Sequence, residues 1–218
     1  MPIQRLEGKE TLVSTSEKDK GKWLEFEGNQ YYVVKDNEDF KKVIRNGLSL
    51  SSFITTYVTD MNHMSIFILK NRKTFNEPLN SWDESEGYPR SGVSNVTSMK
   101  IMFQNCTSFN QPLGGVFPSE NQPLDYWNES EGCPRSGVSN VRNMEDMFCG
   151  CNSFNQPLHS WNVSNVQNMM GMFTTCTSFN QSLHSWDESE GCPRSGVSNV
   201  KNMEGMFLGC SSFNQPLG

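Results

Sequence analysis

Residues 154–176 read FNQPLHSWNVSNVQNMMGMFTTC, and the apolar residues of this stretch recur in the chain at a spacing of 25 residues. One set of these positions is Val141, Met144, Met147, Phe148, Cys151, Phe154, Leu158 and Trp161. The next set is Val166, Met169, Met172, Phe173, Cys176, Phe179, Leu183 and Trp186. A fixed period of this length is typical of repeat proteins, in which each unit stacks on its neighbour.

Three further units carry the same pattern with substitutions or insertions. The second unit has Val96, Met99, Met102, Phe103, Cys106, Phe109 and Leu113. The last unit has Val200, Met203, Met206, Phe207, Cys210, Phe213 and Leu217, and a degenerate first unit has Val58, Met61, Met64, Phe75, Leu79 and Trp82. The sequence therefore predicts a solenoid over residues 58–218, with units at about 58–82, 93–127, 138–161, 163–186 and 197–218.

A single unit cannot be stable alone. Its eight apolar side chains contribute roughly 12–24 kcal/mol when they are buried. Ordering a unit of this length costs roughly 25–50 kcal/mol of backbone entropy. The units must therefore bury their apolar columns against each other and share hydrogen bonds, so that stability is collective.

Within a unit the apolar spacing suggests local structure. Val166, Met169, Met172, Phe173 and Cys176 occupy positions i, i+3, i+6, i+7 and i+10, which predicts one face of a short helix. Asn165 or Asn168 is expected to cap its start. Each coil is thus predicted to contain a short strand, a turn and one or two helical turns.

The N-terminal part follows a different pattern. Residues 1–20 are predicted to be flexible, and residues 21–57 to form a cap on the first coil. The cap would contain a β-hairpin, with strands at 22–27 and 30–34 around a Gly28-Asn29 turn, and a helix over 36–45 that closes at Asn46-Gly47. No similar cap follows Leu217, so we expect a protein partner or a second copy to cover the last coil.

The string Phe-Asn-Gln-Pro-Leu-x-x-Trp-x-Val-Ser-Asn-Val-x-Asn-Met-x-x-Met-Phe-x-x-Cys, nearly complete at residues 154–176, resembles the bacterial surface-protein repeats of BspA type. That family is similar to leucine-rich repeat proteins and occurs on bacterial surfaces and in large DNA viruses. The resemblance implies an α/β fold, a right-handed leucine-rich-repeat-like solenoid of about five coils with an N-terminal hairpin and helix cap. It also implies roles in attachment or assembly, without catalytic residues.

Charge is unevenly distributed along the chain. The net charge is −6, but residues 1–73 carry 12 Lys/Arg and 10 Asp/Glu, whereas residues 74–218 carry 6 and 14. An acidic repeat region repels phosphate backbones, so nucleic acid is not an expected partner.

The sequence has no apolar run long enough for a membrane span and no apolar segment of a signal peptide near its start. We expect an intracellular or virion-associated protein, or an exported surface protein if a leader precedes this sequence.

Three near-copies of an insertion follow Trp82, Trp127 and Trp186, and their charged residues form the candidate interaction site. These residues are Glu84, Glu86, Arg90, Glu129, Glu131, Arg135, Glu188, Glu190 and Arg194. They are expected to project from one edge of the solenoid, where they would bind a repetitive or basic partner. The alternative is that duplication copied a solvated loop along with the repeat.

Cysteine and histidine also recur in phase with the repeat. Cys106, Cys151, Cys176 and Cys210 are expected to form an inward column of small buried thiols. Cys133 and Cys192 lie in the insertions, where they could cross-link on oxidation. His159 and His184 are equivalent positions that could share a metal ion, although exposed strand positions are the favoured interpretation. We therefore predict no metal and no cofactor.

Two columns of asparagine complete the pattern. They are Asn110, Asn155, Asn180 and Asn214, and Asn140, Asn165 and Asn199. Their repetition predicts ladders, in which side-chain amides form hydrogen bonds with turn backbone in successive coils.

The sequence favours a non-enzymatic interaction or scaffold protein whose partners are other proteins. Its expected setting is a large virus particle or, alternatively, a bacterial cell surface. An enzyme is the remaining alternative, although no nucleophile–base pair or phosphate-binding loop is evident.

Overall fold

The structure is a computed structural model that describes residues 3–5, 12–14, 16–68, 72–77, 79, 93, 95–113, 138–158, 161–183, 186 and 196–217. Its strands are β1 (Ile3–Arg5), β2 (Leu12–Ser14), β3 (Trp23–Phe26), β4 (Asn29–Val33) and β5 (Phe53–Ile54). Its helices are α1 (Asn37–Arg45) and α2 (Met64–Phe67), with 3-10 turns at Glu17–Asp19, Leu50–Ser52 and Arg72–Thr74. The fold thus mixes helix and strand.

The N-terminal sheet contains the predicted hairpin. Strand β3 pairs antiparallel with β4, which pairs parallel with β5, and β1 and β2 form a separate antiparallel pair. The predicted turn was wrong by one residue, because Asn29 pairs with Phe26 and the turn residues are Glu27 (φ 51°) and Gly28 (φ 78°). Two successive positive φ angles are those of a type I′ turn, which matches the twist of a two-residue hairpin.

Helix α1 begins and ends close to the predicted residues. The Asp36 carboxylate caps it by accepting the Asp39 backbone N–H at 2.9 Å, and Gly47 follows its end at φ 74°. Its buried face, with Phe40 and Ile44, belongs to the same hydrophobic core as Met61 of the first repeat unit. Residues 21–57 therefore pack against the first unit. The flexibility of residues 1–20 stays a prediction.

Equivalent residues of successive units lie next to each other. Parallel bridges connect Asp60, Ser98, Asn143, Asn168 and Asn202 in that order. Two columns of phenylalanine rings fill the interior beside them. One column is Phe75, Phe109, Phe154, Phe179 and Phe213, with centroids 5.7–6.0 Å apart; the other is Phe103, Phe148, Phe173 and Phe207, at 5.6 Å.

The two columns also contact each other within each of the four later units. Phe148 and Phe154, for example, have centroids 4.2 Å apart and planes 11° apart. Nearly parallel rings at these separations are in offset stacking, which adds to the free energy from burial. The described units are therefore in parallel contact through a continuous aromatic core. The hand of the stack and its likeness to leucine-rich repeats stay predictions.

The prediction of a helix over residues 166–176 was wrong, because this segment forms two successive four-residue turns. The Met172 N–H donates to the Met169 carbonyl at 3.1 Å, and the Cys176 N–H to the Phe173 carbonyl at 2.9 Å. The third residue of each turn has a positive φ, 62° at Gly171 and 57° at Thr175, as type II turns require. The prediction failed because two consecutive turns place apolar residues inward at the same spacing as a helix.

The same pair of turns occurs in the other regular units. Their left-handed residues are Ile101 and Asn105, Asp146 and Gly150, and Gly205 and Gly209. Neither predicted capping asparagine acts as a helix cap. The Asn165 side chain donates to the Ser139 carbonyl at 2.8 Å, and the Asn168 side chain accepts the Met170 N–H at 3.1 Å.

Gly171 has a second constraint besides its φ angle. A Cβ at this position would collide with the Asp146 carboxylate of the preceding unit, whereas a Cβ at Gly205, at φ 64°, would meet nothing within 4 Å. The side chain of one unit thus fills the space that glycine leaves in the next.

We expect Gly171→Ala to lower the free energy of unfolding more than Gly205→Ala does. In both variants the unfolding free energy would fall by about 1–2 kcal/mol, because alanine is unfavourable in the left-handed conformation. Gly171→Ala must in addition displace the Asp146 side chain. Urea denaturation of the two variants measures the difference. Equal losses would show that the contact between the units does not constrain this position.

Candidate functional site

The nine charged residues of the insertions, from Glu84 to Arg194, lie outside the described residues, as do Cys133, Cys192, His159 and His184. Their proposed roles stay predictions. The repeated thiols and amides and part of the outer surface of the units lie within the described part of the chain.

The repeated cysteines form the predicted inward column. Cys106, Cys151 and Cys176 are fully buried, and Cys210 is half-buried in the last unit. Each thiol after the first donates to a phenylalanine carbonyl of the preceding unit. The bonds are Cys151 Sγ to Phe103 O at 3.0 Å, Cys176 Sγ to Phe148 O at 2.9 Å and Cys210 Sγ to Phe173 O at 2.7 Å.

Each of these carbonyls also accepts a turn N–H. Phe148 O, for example, accepts the Cys151 N–H at 2.9 Å as well as the Cys176 thiol. Both lone pairs of the oxygen are therefore used. The thiol proton is part of the contact between units, and a thiolate could not make it.

Burial keeps the column protonated. It raises the pKa of the Cys106 thiol to about 12, against a smaller lowering by Arg72, and it raises the pKa values of Cys151 and Cys176 well above their usual range. The thiolate is the nucleophilic and metal-binding form of cysteine. The column is consequently unsuited to nucleophilic or metal chemistry at neutral pH.

We expect the protein to lose stability as the pH rises from about 8.5, the pKa of an exposed thiol, towards about 12, the pKa of folded Cys106. In this window the unfolded chain has released a proton that the folded chain retains, so the free energy of unfolding falls with pH. Denaturation in reducing buffer over a pH series measures the slope.

Cys106→Ser is the matched control, since serine does not ionise in this pH range. Its stability should fall less steeply over the same window than that of the unsubstituted protein. Identical slopes for the two proteins would contradict the assignment to Cys106.

The first asparagine column forms the predicted ladder. At four successive junctions an asparagine Oδ1 accepts the backbone N–H of the next asparagine at 2.8–2.9 Å, along Asn76, Asn110, Asn155, Asn180 and Asn214. A glutamine amide of the next unit also donates to three of these oxygens, from Gln156, Gln181 and Gln215. A second set of amides donates backwards along the chain at 2.6–2.8 Å: Asn165 and Asn199 to carbonyls of the preceding unit, and Asn95 to the Thr56 carbonyl just before the first unit.

We expect Asn155→Ala to cost about 1–3 kcal/mol of unfolding free energy, because the Asn180 N–H and the Gln181 amide lose their acceptor. Asn155→Asp keeps an oxygen at this position and should cost less. Thermal and chemical denaturation of both variants provide the measurement. If the two substitutions were equally harmful, the acceptor would not be the feature that stabilises this junction.

Two columns of residues that differ between units lie on the outer surface, and together we call them the variable face. The first is Thr59, Thr97, Arg142, Gln167 and Lys201, all exposed, and the second is Asn62, Lys100, Glu145, Met170 and Glu204. Backbone N–H groups connect the first column from unit to unit at 2.8–2.9 Å, as from Gln167 to the Arg142 carbonyl. The ladder therefore holds these side chains at fixed spacing.

Charges on the variable face interact across units. Lys100 Nζ lies 2.9 Å from Glu145 Oε1, and the Asn168 amide donates to Glu145 Oε2 at 3.0 Å. The pKa of the adjacent Asp146 carboxyl is raised, mainly by burial and to a smaller extent by the Glu145 charge, whereas the Lys100 charge lowers it. Sequence reasoning missed this surface. The positions at which the units differ could have indicated it, because such positions are free of repeated structural contacts.

Within the described ranges, no group of three or more His, Cys, Asp or Glu side chains is arranged to hold a metal ion. No helix in the same ranges combines the length and the apolar character needed to cross a membrane.

Comparison with known proteins gives one family match. The model of a family described as "Mycoplasma protein of unknown function, DUF285" matches residues 29–128 and 131–218. No curated protein and no solved structure matches the chain.

Proposed function

We propose that this chain, which belongs to the DUF285 family, is a right-handed leucine-rich-repeat-like solenoid that acts as a non-enzymatic protein-interaction or scaffold module. Its partners are other proteins, and its contact surface is the variable face. The family description assigns no function, so the proposal rests on the geometry of the units.

The observation that carries this proposal is the division between repeated and varied positions. The repeated Asn and Cys side chains bond the neighbouring units, and the repeated Phe, Met and Val side chains fill the interior. The varied positions are on the surface, at a spacing fixed by the backbone ladder. Repeat proteins use extended surfaces of this kind to bind macromolecules, with specificity set by residues that the scaffold does not need.

The same division argues against an enzyme. A nucleophilic residue needs a lowered pKa or an adjacent base, whereas burial raises the pKa values of Cys106, Cys151 and Cys176. The repeated asparagines are engaged in ladders between units. These residue types therefore have a structural explanation.

The proposal also concerns the biological setting in which this interaction takes place. The BspA-type resemblance of residues 154–176 supports either a structural component of a large virus particle or a bacterial cell-surface protein of adhesion type. Mass spectrometry of purified virus particles and of a bacterial surface fraction distinguishes the two. If the chain were found in neither sample, both settings would be excluded.

A photo-crosslinking residue at Gln167, on the variable face, should capture a discrete protein in the cells that make this chain. The same residue at Ser178, exposed in the same unit but outside the variable face, is the matched control and should capture none. Electrophoresis and mass spectrometry of the products identify the partner.

The charge reversal Arg142→Glu should abolish the Gln167 product, because it changes a neighbouring side chain of the variable face. Equal capture at Gln167 and Ser178, or a product unaffected by Arg142→Glu, would argue against the variable face as the contact surface.

A further inference from the structure

Asn46 is followed by Gly47, and no other asparagine of the sequence precedes a glycine. The pair lies at the end of helix α1, and both residues are exposed. Glycine has no Cβ, so no side chain shields the Gly47 nitrogen from the carboxamide of Asn46. The side chain and the backbone of this pair can therefore react with each other.

The reaction open to the pair is deamidation through a cyclic imide. The Gly47 nitrogen forms a bond to Asn46 Cγ, the Cγ–Nδ2 bond breaks, and Nδ2 leaves as ammonia with the proton of the Gly47 nitrogen. Water then adds to one imide carbonyl and breaks the bond between that carbonyl and the nitrogen. Opening at Cγ gives aspartate. Opening at the main-chain carbonyl gives isoaspartate, in which the main chain runs through Cβ and Cγ.

A capping turn holds the pair out of the geometry that this reaction needs. The Gly47 N–H donates to the Ile44 carbonyl at 2.9 Å and the Leu48 N–H to the Val43 carbonyl at 3.3 Å, which are the bonds of a Schellman motif. Ring closure requires the Gly47 nitrogen to eclipse the Asn46 Cβ. The Asn46 ψ angle of 0° instead eclipses it with the Asn46 nitrogen. The turn must therefore open before the imide can form.

The residues after the turn are anchored on the first repeat unit. Leu48 packs against the main hydrophobic core, and Leu50 is buried in it. The Glu77 carboxylate of the first unit accepts the Ser49 hydroxyl at 2.8 Å and the Leu50 N–H at 3.0 Å. The Asn-Gly pair thus joins two segments that both pack on the repeat units, helix α1 before it and this anchored segment after it.

We propose that Asn46 is a modification site, at which spontaneous deamidation requires opening of the capping turn and the isoaspartate product prevents the turn from closing again. Isoaspartate inserts a methylene into the main chain before Gly47, so the Gly47 and Leu48 N–H groups lose their positions opposite the helix carbonyls. The new carboxylate also places negative charge at the C-terminal end of a helix dipole, where it is unfavourable. The modification therefore weakens the packing of helix α1 on the first unit.

The first test compares the folded 218-residue chain with a synthetic peptide of residues 42–50 in mildly alkaline buffer. Peptide mapping follows the mass gain at Asn46, and an isoaspartate-specific methyltransferase assay identifies the product. Asn46 should react in both, but about tenfold or more slowly in the chain, because two hydrogen bonds must open there. Equal rates would overturn the role of the turn, and absence of product in the chain would overturn the site.

Leu48→Ala should accelerate the reaction of Asn46 several-fold, because it removes part of the apolar contact that holds the end of the capping turn. Leu208→Ala is the matched control, since Leu208 is 68% exposed and lies in another unit. Its rate should equal that of the unsubstituted chain. A rate unchanged by Leu48→Ala, or raised as much by Leu208→Ala, would show that the turn does not limit the reaction.

The consequence for stability is measured by urea denaturation before and after the same incubation. Asn46→Asp carries the carboxylate on a main chain of normal length, so the incubated chain with isoaspartate should unfold at a lower urea concentration than this variant does. Asn46→Ser cannot form the imide and should keep its midpoint after incubation. An equal loss in Asn46→Ser, or a midpoint of the incubated chain equal to that of Asn46→Asp, would contradict the effect of the lengthened main chain.

Discussion

The ladder that joins each turn segment to the next unit is the interaction on which the rest of the structure depends. Each segment closes two turns with its own carbonyls and leaves alternate N–H groups for the neighbouring unit. This division requires a left-handed residue in each turn, such as Gly171 or Thr175. Where that residue is not glycine it costs about 1–2 kcal/mol, which the contacts between units must offset. Stability is therefore a property of adjacent units together.

The interior repeats the same residue types because each one bonds or packs against its own equivalent. An Asn155 oxygen accepts the Asn180 N–H, and Phe148 packs against Phe173 at 5.6 Å. A substitution in one unit therefore disturbs the junctions on both sides. The residues of the variable face, by contrast, change along the chain, as from Arg142 to Gln167 and Lys201.

A direction also follows from the ladder. Because the turns use the carbonyls of one edge, every described junction between turn segments places donors on the earlier unit and acceptors on the later one. Residues 21–57 pack on the first unit, whereas the donors of the last unit have no described acceptor. The two ends of the described stack are consequently not equivalent.

The sequence by itself determined the period, the aromatic and cysteine columns, the asparagine ladder, the hairpin and helix α1, because each depends on residue types at fixed spacing or on local capping. It could not determine the conformation between Val166 and Cys176, where a helix and a pair of turns place the same residues inward. Hydrogen bonds to residues more than 30 positions away, such as Phe173 to Met206, decided that choice in favour of turns. The direction of the hydrogen bonds between turn segments likewise emerged only from the tertiary structure, since it depends on which backbone groups the neighbouring unit uses.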